Sequence, residues 1–212
     1  NWIMCILYLG TFGSFIGFAA GFPLLIKSQF TGIDPVKYAF LGPLVGALAR
    51  PFGGWISDKI KSGALITQLV FIGMIVAVCG VIFFLPNNGE GGNFWGFFTC
   101  FLALFALTGI GNGSTFMQVP VIFLNMHQKF AEEGKVSEEQ ARLDATKEGA
   151  AVIGFTAAFA AYGGFFIPKS YGTSIDLTGG VNAALIGFII FYAICAVLNW
   201  WYYTRKGAEA KC

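Results

Sequence analysis

Charge is scarce in this chain. Asp, Glu, Lys and Arg supply 11% of its 212 residues and histidine occurs once, whereas soluble domains carry about 25% charged residues. No Asp, Glu or His lies inside the apolar stretches except at their edges. There is no carboxylate pair at depth, no phosphate-binding glycine loop and no CxxC pair, so neither enzymatic activity nor a metal or cofactor is expected. The five cysteines, Cys5, Cys79, Cys100, Cys195 and Cys212, are read as inert thiols, four of them within apolar runs. Basic residues are not interleaved with aromatics, which argues against a nucleic-acid partner. Period-two alternation is also missing, which excludes a porin-like barrel.

What the chain has in quantity is apolar surface: 56% hydrophobic residues, 24 phenylalanines and 29 glycines. A bilayer core needs about 20 apolar residues per helix. Six segments qualify, at about 2–26, 37–57, 63–86, 94–125, 146–168 and 181–203, and the expected class is an all-α membrane protein whose partner is the lipid bilayer. Polar turns are predicted at Lys27–Pro35, Pro86–Gly92 and Lys169–Asp176. The other two connections, near Asp58–Ser62 and across about 127–145, carry most of the charge. In the longer one, Ser137-Glu-Glu-Gln140 is a capping box that predicts a helix start, with Glu138 and Arg142 spaced for an i,i+4 ion pair. His127 at this edge reads as structural.

Lys and Arg are divided unequally between the two sides. Nine lie in the segments around Lys59, Lys129–Lys147 and Arg205–Lys211, and three, Lys27, Lys37 and Lys169, in the other set. By the positive-inside rule both ends are predicted to be cytoplasmic, which an even number of spans satisfies. The chain starts at Asn1 directly in a hydrophobic run, without a charged n-region or cleavage site, so it does not fit a signal peptide and reads as a piece of something longer.

The remaining cation, Arg50, stands alone inside Gly42-Pro-Leu-Val-Gly46-Ala-Leu-Ala-Arg50-Pro-Phe-Gly-Gly54. An intramembrane Arg costs about 2.5–3.5 kcal/mol on insertion scales and marks a cavity, partner or substrate. Gly42, Gly46, Arg50 and Gly54 recur every four residues, so the guanidinium is expected on a glycine face with open space around it. Tyr8 and Phe12 share a face one turn apart and offer a phenol and an aromatic wall suited to a small flat anion. Asn112, Ser114, Thr115 and Gln118 are polar at membrane depth, as glue between helices or as lining of a site, and Pro120 is a candidate kink.

Gly54-Trp-Ile-Ser-Asp58-Lys59 resembles the Gly-x-x-x-Asp-Arg/Lys turn of major facilitator transporters. Together with Leu7–Phe18, Gly46–Arg50, Gly113–Phe116 and Gly154-Phe-Thr-Ala-Ala-Phe-Ala-Ala-Tyr-Gly163-Gly164-Phe-Phe-Ile-Pro168, the chain is similar along essentially its whole length to the C-terminal half of NarK-type nitrate/nitrite porters. The resemblance implies six transmembrane helices forming one half of a major facilitator fold in the inner membrane, with nitrate or nitrite bound against a missing N-terminal half. It implies that Arg50 binds the anion, Tyr8 hydrogen-bonds it, Phe12 flanks it, and Gly154 lies nearest it on the signature helix. Gly163 and Gly164 fall in the signature, and the glycine faces of the first, second, fourth and fifth helices are expected to be sliding surfaces. The family carries a serine where this chain has Ala157, with Thr156 beside it. The implied activity is nitrate/nitrite antiport; a proton-coupled nitrate or other small-anion facilitator, and a non-transporting anion-binding module, are the alternatives.

Overall fold

A computed structural model describes residues 2–86, 91–205 and 208. Six long helices dominate them: α1 (Trp2–Gln29), α2 (Leu41–Ile60), α3 (Gly63–Phe84), α4 (Phe94–Glu132), α5 (Glu138–Thr178) and α6 (Asn182–Thr204). Five are long and apolar enough to cross a membrane. The sixth is α2, whose 20 residues include Arg50, Asp58 and Lys59. Helices suit a bilayer because every backbone polar group is satisfied within its own segment.

The helix starts are chemically marked. Ser62, Asn93 and Ser137 accept from the backbone N–H groups of Leu65, Gly96 and Gln140, at 3.3, 3.2 and 3.2 Å. The capping box therefore opens α5 where its residues predict. Glu138 and Arg142 do not form the expected ion pair; instead Gln140 donates to Asp144 Oδ1 at 2.8 Å on the same solvent-facing turns. Of the polar turns, Lys27–Pro35 ends α1 at Gln29, turns through Gly32 (φ +93°) and restarts at Pro35 under an Asp34 cap. Residues 87–90 of the second turn lie outside the described residues.

Two helices run well beyond their apolar segments. At 1.5 Å per residue, the 39 residues of α4 reach about 58 Å, and α4 and α5 together leave only 133–137 as the connection expected over about 127–145. At its other end α5 continues through Lys169–Asp176, which its polarity marks as a turn. The reason is local satisfaction. Ser170 donates to the Ile167 carbonyl and Thr178 to that of Ser174, both at 2.7 Å, while Tyr171 is buried against Gly21. The stop comes at Gly179, with φ of +75°.

α4 is the central element, packed against α2, α3 and the first half of α5; the second half of α5 lies on α1, and α6 lies on α3. The aromatic core sits between α1 and α4, where Phe22 stacks on Phe101 at 4.4 Å and Phe18 meets Phe101 edge-on at 5.5 Å. Cys5, Cys79, Cys100 and Cys195 are free thiols. Cys212 lies outside the described residues.

The glycine stripes are used inside the bundle. A Cβ on Gly109 would run into the Gly46 carbonyl, one on Gly113 into the Arg50 carbonyl, and one on Gly53 into Ile110. Gly13 and Gly163 make the same backbone-to-backbone approach between α1 and α5. One expectation is thereby corrected: Gly42 and Gly46 are filled by Phe105 and Phe15 and do not themselves open space beside Arg50, and in the arrangement seen here Gly13, Gly53, Gly109, Gly113 and Gly163 lie in packed crossings, whereas Gly54, Gly149 and Gly154 are uncrowded. Overpacking costs about 1–3 kcal/mol or more. Gly109→Val is therefore expected to lower the thermal unfolding midpoint sharply, whereas Gly154→Ala, with nothing within 4 Å of the new Cβ, should hold or raise it.

Candidate functional site

Arg50 is the tenth of the twenty residues of α2, so its charge falls near mid-helix. The Arg50–Gly113 approach fixes the main chain against α4 and leaves the side chain exposed. Its guanidinium carbon lies 5.9 Å from the centroid of the Phe12 ring on α1 and 5.8 Å from that of Phe116 on α4. Among the described residues no carboxylate stands within ion-pair distance of it. Cation–π contacts at this range contribute about 0.5–2 kcal/mol, more as water is removed. They leave the guanidinium N–H groups free for an acceptor.

Tyr8 completes the cluster from α1. Its ring stacks on Phe12 at 5.2 Å and 26° between planes, and the side chain is buried. Around it α1 passes through a π-helical turn over Leu9–Gly13. Such turns are frequent at functional sites because they re-aim the residues that follow. Thr11, within the turn, shares a hydrogen bond of 3.0 Å with Thr115 of α4. This clamps α1 to α4 beside Phe12.

Of the polar residues on α4, three make bonds between or along helices. Thr115 also bonds back to its own helix, Ser114 meets Thr67 of α3 at 2.8 Å, and Gln118 donates to the same Thr67 hydroxyl at 2.6 Å. Asn112 differs: it is buried and its Oδ1 has no partner. Pro120 is accommodated inside α4 without ending it.

The α5 residues are arranged differently from the cluster on α1, α2 and α4. Gly154 is exposed with open space over it. Thr156 is buried and donates to the Val152 and Ile153 carbonyls of its own helix, at 2.8 and 3.0 Å, so its hydroxyl is engaged with backbone. Ala157 is half-buried. Gly163 is spent on the crossing with Gly13, and Gly164 packs beside Ile16. At the end of α2, Gly54 sits near Met117, Asp58 and Lys59 are exposed, and Lys59 Nζ lies 5.1 Å from the Trp55 ring. Lys61 then turns the chain with φ of +56°. His127 bonds Glu148 at 3.0 Å and meets the edge of Phe130.

Phe116 is the site residue that composition did not single out. The available signal was register: it follows Asn112 by one turn on a helix with polar residues at depth.

No sequence-family model matches the chain. It is 43% identical over 210 residues to the nitrate/nitrite transporter NarU of Escherichia coli and 44% identical over 205 residues to NarU of Salmonella typhimurium. It is 42% identical over 217 residues to the probable nitrate/nitrite antiporter NarK2 of Thermus thermophilus. The chain is thus similar, along nearly its whole length, to part of the NarK-type nitrate/nitrite transporters. These alignments cover 97–100% of the chain but 44–45% of the relatives, so it spans a little under half their length. The all-α architecture described above is accordingly one half of a major facilitator fold.

The interhelical hydroxyl network around this half-site is a stability element. Thr67→Val keeps the shape but removes the acceptor of the 2.6 Å Gln118 bond and one of the two partners of the Ser114 hydroxyl, and each lost hydrogen bond is worth about 0.5–1.5 kcal/mol. A lowered thermal midpoint in detergent is the expected outcome, with the helix content measured by circular dichroism unchanged.

Proposed function

We propose that this chain is the C-terminal half of a transporter of nitrate and nitrite in the inner membrane, working as an antiporter by alternating access, with both of its ends cytoplasmic. The observation that carries the reading is Arg50: a mid-helix guanidinium held over two phenylalanine rings, with no carboxylate beside it among the described residues. Nitrate and nitrite are small planar anions with acceptor oxygens, and a guanidinium offers paired coplanar donors that match two of them. The Phe12 and Phe116 rings exclude water from that pairing and strengthen it. Tyr8 supplies a phenol next to the cation, and Gly154 an uncrowded stretch of helix that a small substrate can approach. A second cation and the opposite wall of the site are assigned to the N-terminal half.

Exchange is favoured over proton coupling by the surroundings of Arg50. In exchange the returning substrate is itself an anion and resets the site, so no titrating side chain is needed. The single histidine is paired with Glu148, and eleven residues of helix, about 16 Å, separate it from Phe116. Thr156, with its hydroxyl bonded to backbone, is given no substrate contact in this reading, and Ala157 contributes only space. Asp58 and Lys59 are assigned to the cytoplasmic turn that links α2 to α3.

Arg50→Lys keeps the charge but loses the planar fork. In the complete transporter, nitrate uptake is expected to fall by at least about tenfold, the equivalent of one charge-assisted hydrogen bond, with membrane insertion unchanged. Near-normal uptake would remove Arg50 from the site. Proteoliposomes separate the modes of coupling: internal nitrite should accelerate nitrate entry, and an imposed pH gradient should not.

A further inference from the structure

The buried carboxamide oxygen of Asn112 makes no hydrogen bond within the bundle. Ser114, Thr115 and Gln118 on the same helix all make hydrogen bonds, whereas Asn112 is 1% exposed with an orphaned Oδ1. A buried unpartnered carbonyl is destabilising, and native proteins retain such groups mainly where function requires them. The orphan atom is an acceptor, so its partner must be a donor.

Helix register identifies the donor. Asn112 precedes Gly113, which lies against the Arg50 carbonyl, and comes one turn before Phe116, whose ring the guanidinium approaches at 5.8 Å. It also comes three residues before Thr115, which is bonded to Thr11, the neighbour of Phe12. Residues 112, 115 and 116 thus span the sector of α4 that faces α1 and α2. The orphaned acceptor on α4 and the residue that carries the mid-helix cation on α2 thus flank the same helix crossing.

We propose that Asn112 is a positioning residue for Arg50: during the transport cycle its carboxamide oxygen accepts one guanidinium N–H, holding the plane of the fork so that the remaining edge meets the anion. The proposal rests on the transport reading above. In the arrangement seen here the cation instead lies over Phe12 and Phe116, so the amide and the rings are two alternative seats for it.

Asn112→Leu in the complete transporter tests this, with nitrate binding measured by calorimetry and stability by thermal unfolding. Loss of one hydrogen bond to a charged group should raise the nitrate Kd about tenfold. The unfolding midpoint should hold or rise, because an orphaned acceptor has been replaced by an apolar side chain; an Asn with a purely structural role would lower it. In an Arg50→Lys background, titrated to higher nitrate, the same substitution should change Kd less than about twofold, since non-additivity marks residues that act together. An unchanged Kd with wild-type Arg50, or an equal change in both backgrounds, overturns the proposal. Should Asn112→Leu fail to fold, Asn112→Ala carries the same comparison. A parent protein that binds no nitrate at all overturns the transport reading itself.

Discussion

Close approach of α2 to α4 is the constraint on which the rest depends. Gly46 meets Gly109 and the Arg50 carbonyl meets Gly113 with no side chain between the two backbones. Small residues permit this spacing, and in lipid, where no hydrophobic force draws helices together, the resulting van der Waals contact is a principal source of cohesion. A helix placed by its main chain in this way has little freedom to rotate. The direction of the Arg50 side chain is therefore set by glycines several residues away from it, and the cation is delivered to the aromatic pair instead of to lipid.

The same economy explains why so few polar groups are needed. Thr11 with Thr115, and Thr67 with Ser114 and Gln118, join α1, α3 and α4 in short chains of hydroxyl and amide bonds around the mid-membrane part of α4. They hold two helices, α1 and α3, against the one that carries Phe116. With the glycine crossing of α1 and α5 at Gly13 and Gly163, most of the helix contacts that bear on the site are made by backbone or by uncharged donors. Arg50 is left as a charge that the bundle frames but does not neutralise.

The sequence made the helices, the charge asymmetry and Arg50 plain, because each leaves a one-dimensional signature: long apolar runs, charged gaps, and a cation where none belongs. It was less informative wherever partners decide. Gly42 and Gly46 look the same from the sequence whether they create space or consume it, and only the positions of Phe105 and Phe15 show that they are filled. Lys169–Asp176 looks like a turn by polarity, yet Ser170 and Thr178 bond back to their own helix and the stop falls to Gly179. Phe116 is one phenylalanine among 24 until its ring is placed against the guanidinium. Thr156, adjacent to the expected hydroxyl position, is committed to the i−4 carbonyl of Val152, an option open to any helical threonine that sequence alone does not distinguish from a bond across helices such as that of Thr67.

An exposed guanidinium in a chain this apolar implies that its surroundings are unfinished. On α2 the large apolar residues two positions to either side of it, Leu48 and Phe52, are themselves 62% and 61% exposed. Facing lipid, those two side chains are at home and Arg50 is not, because bare charge in hydrocarbon is costly. Facing a second half of the transporter, the cation would look into an interior cavity, with Gly154 leaving room on α5. An anion between the halves would then be bound and would also offset the cost of enclosing the Arg50 charge. In the exchange reading proposed above, substrate occupancy and closure of the halves are linked through the same charge: the empty site would resist closing, so the return step would proceed with an anion aboard.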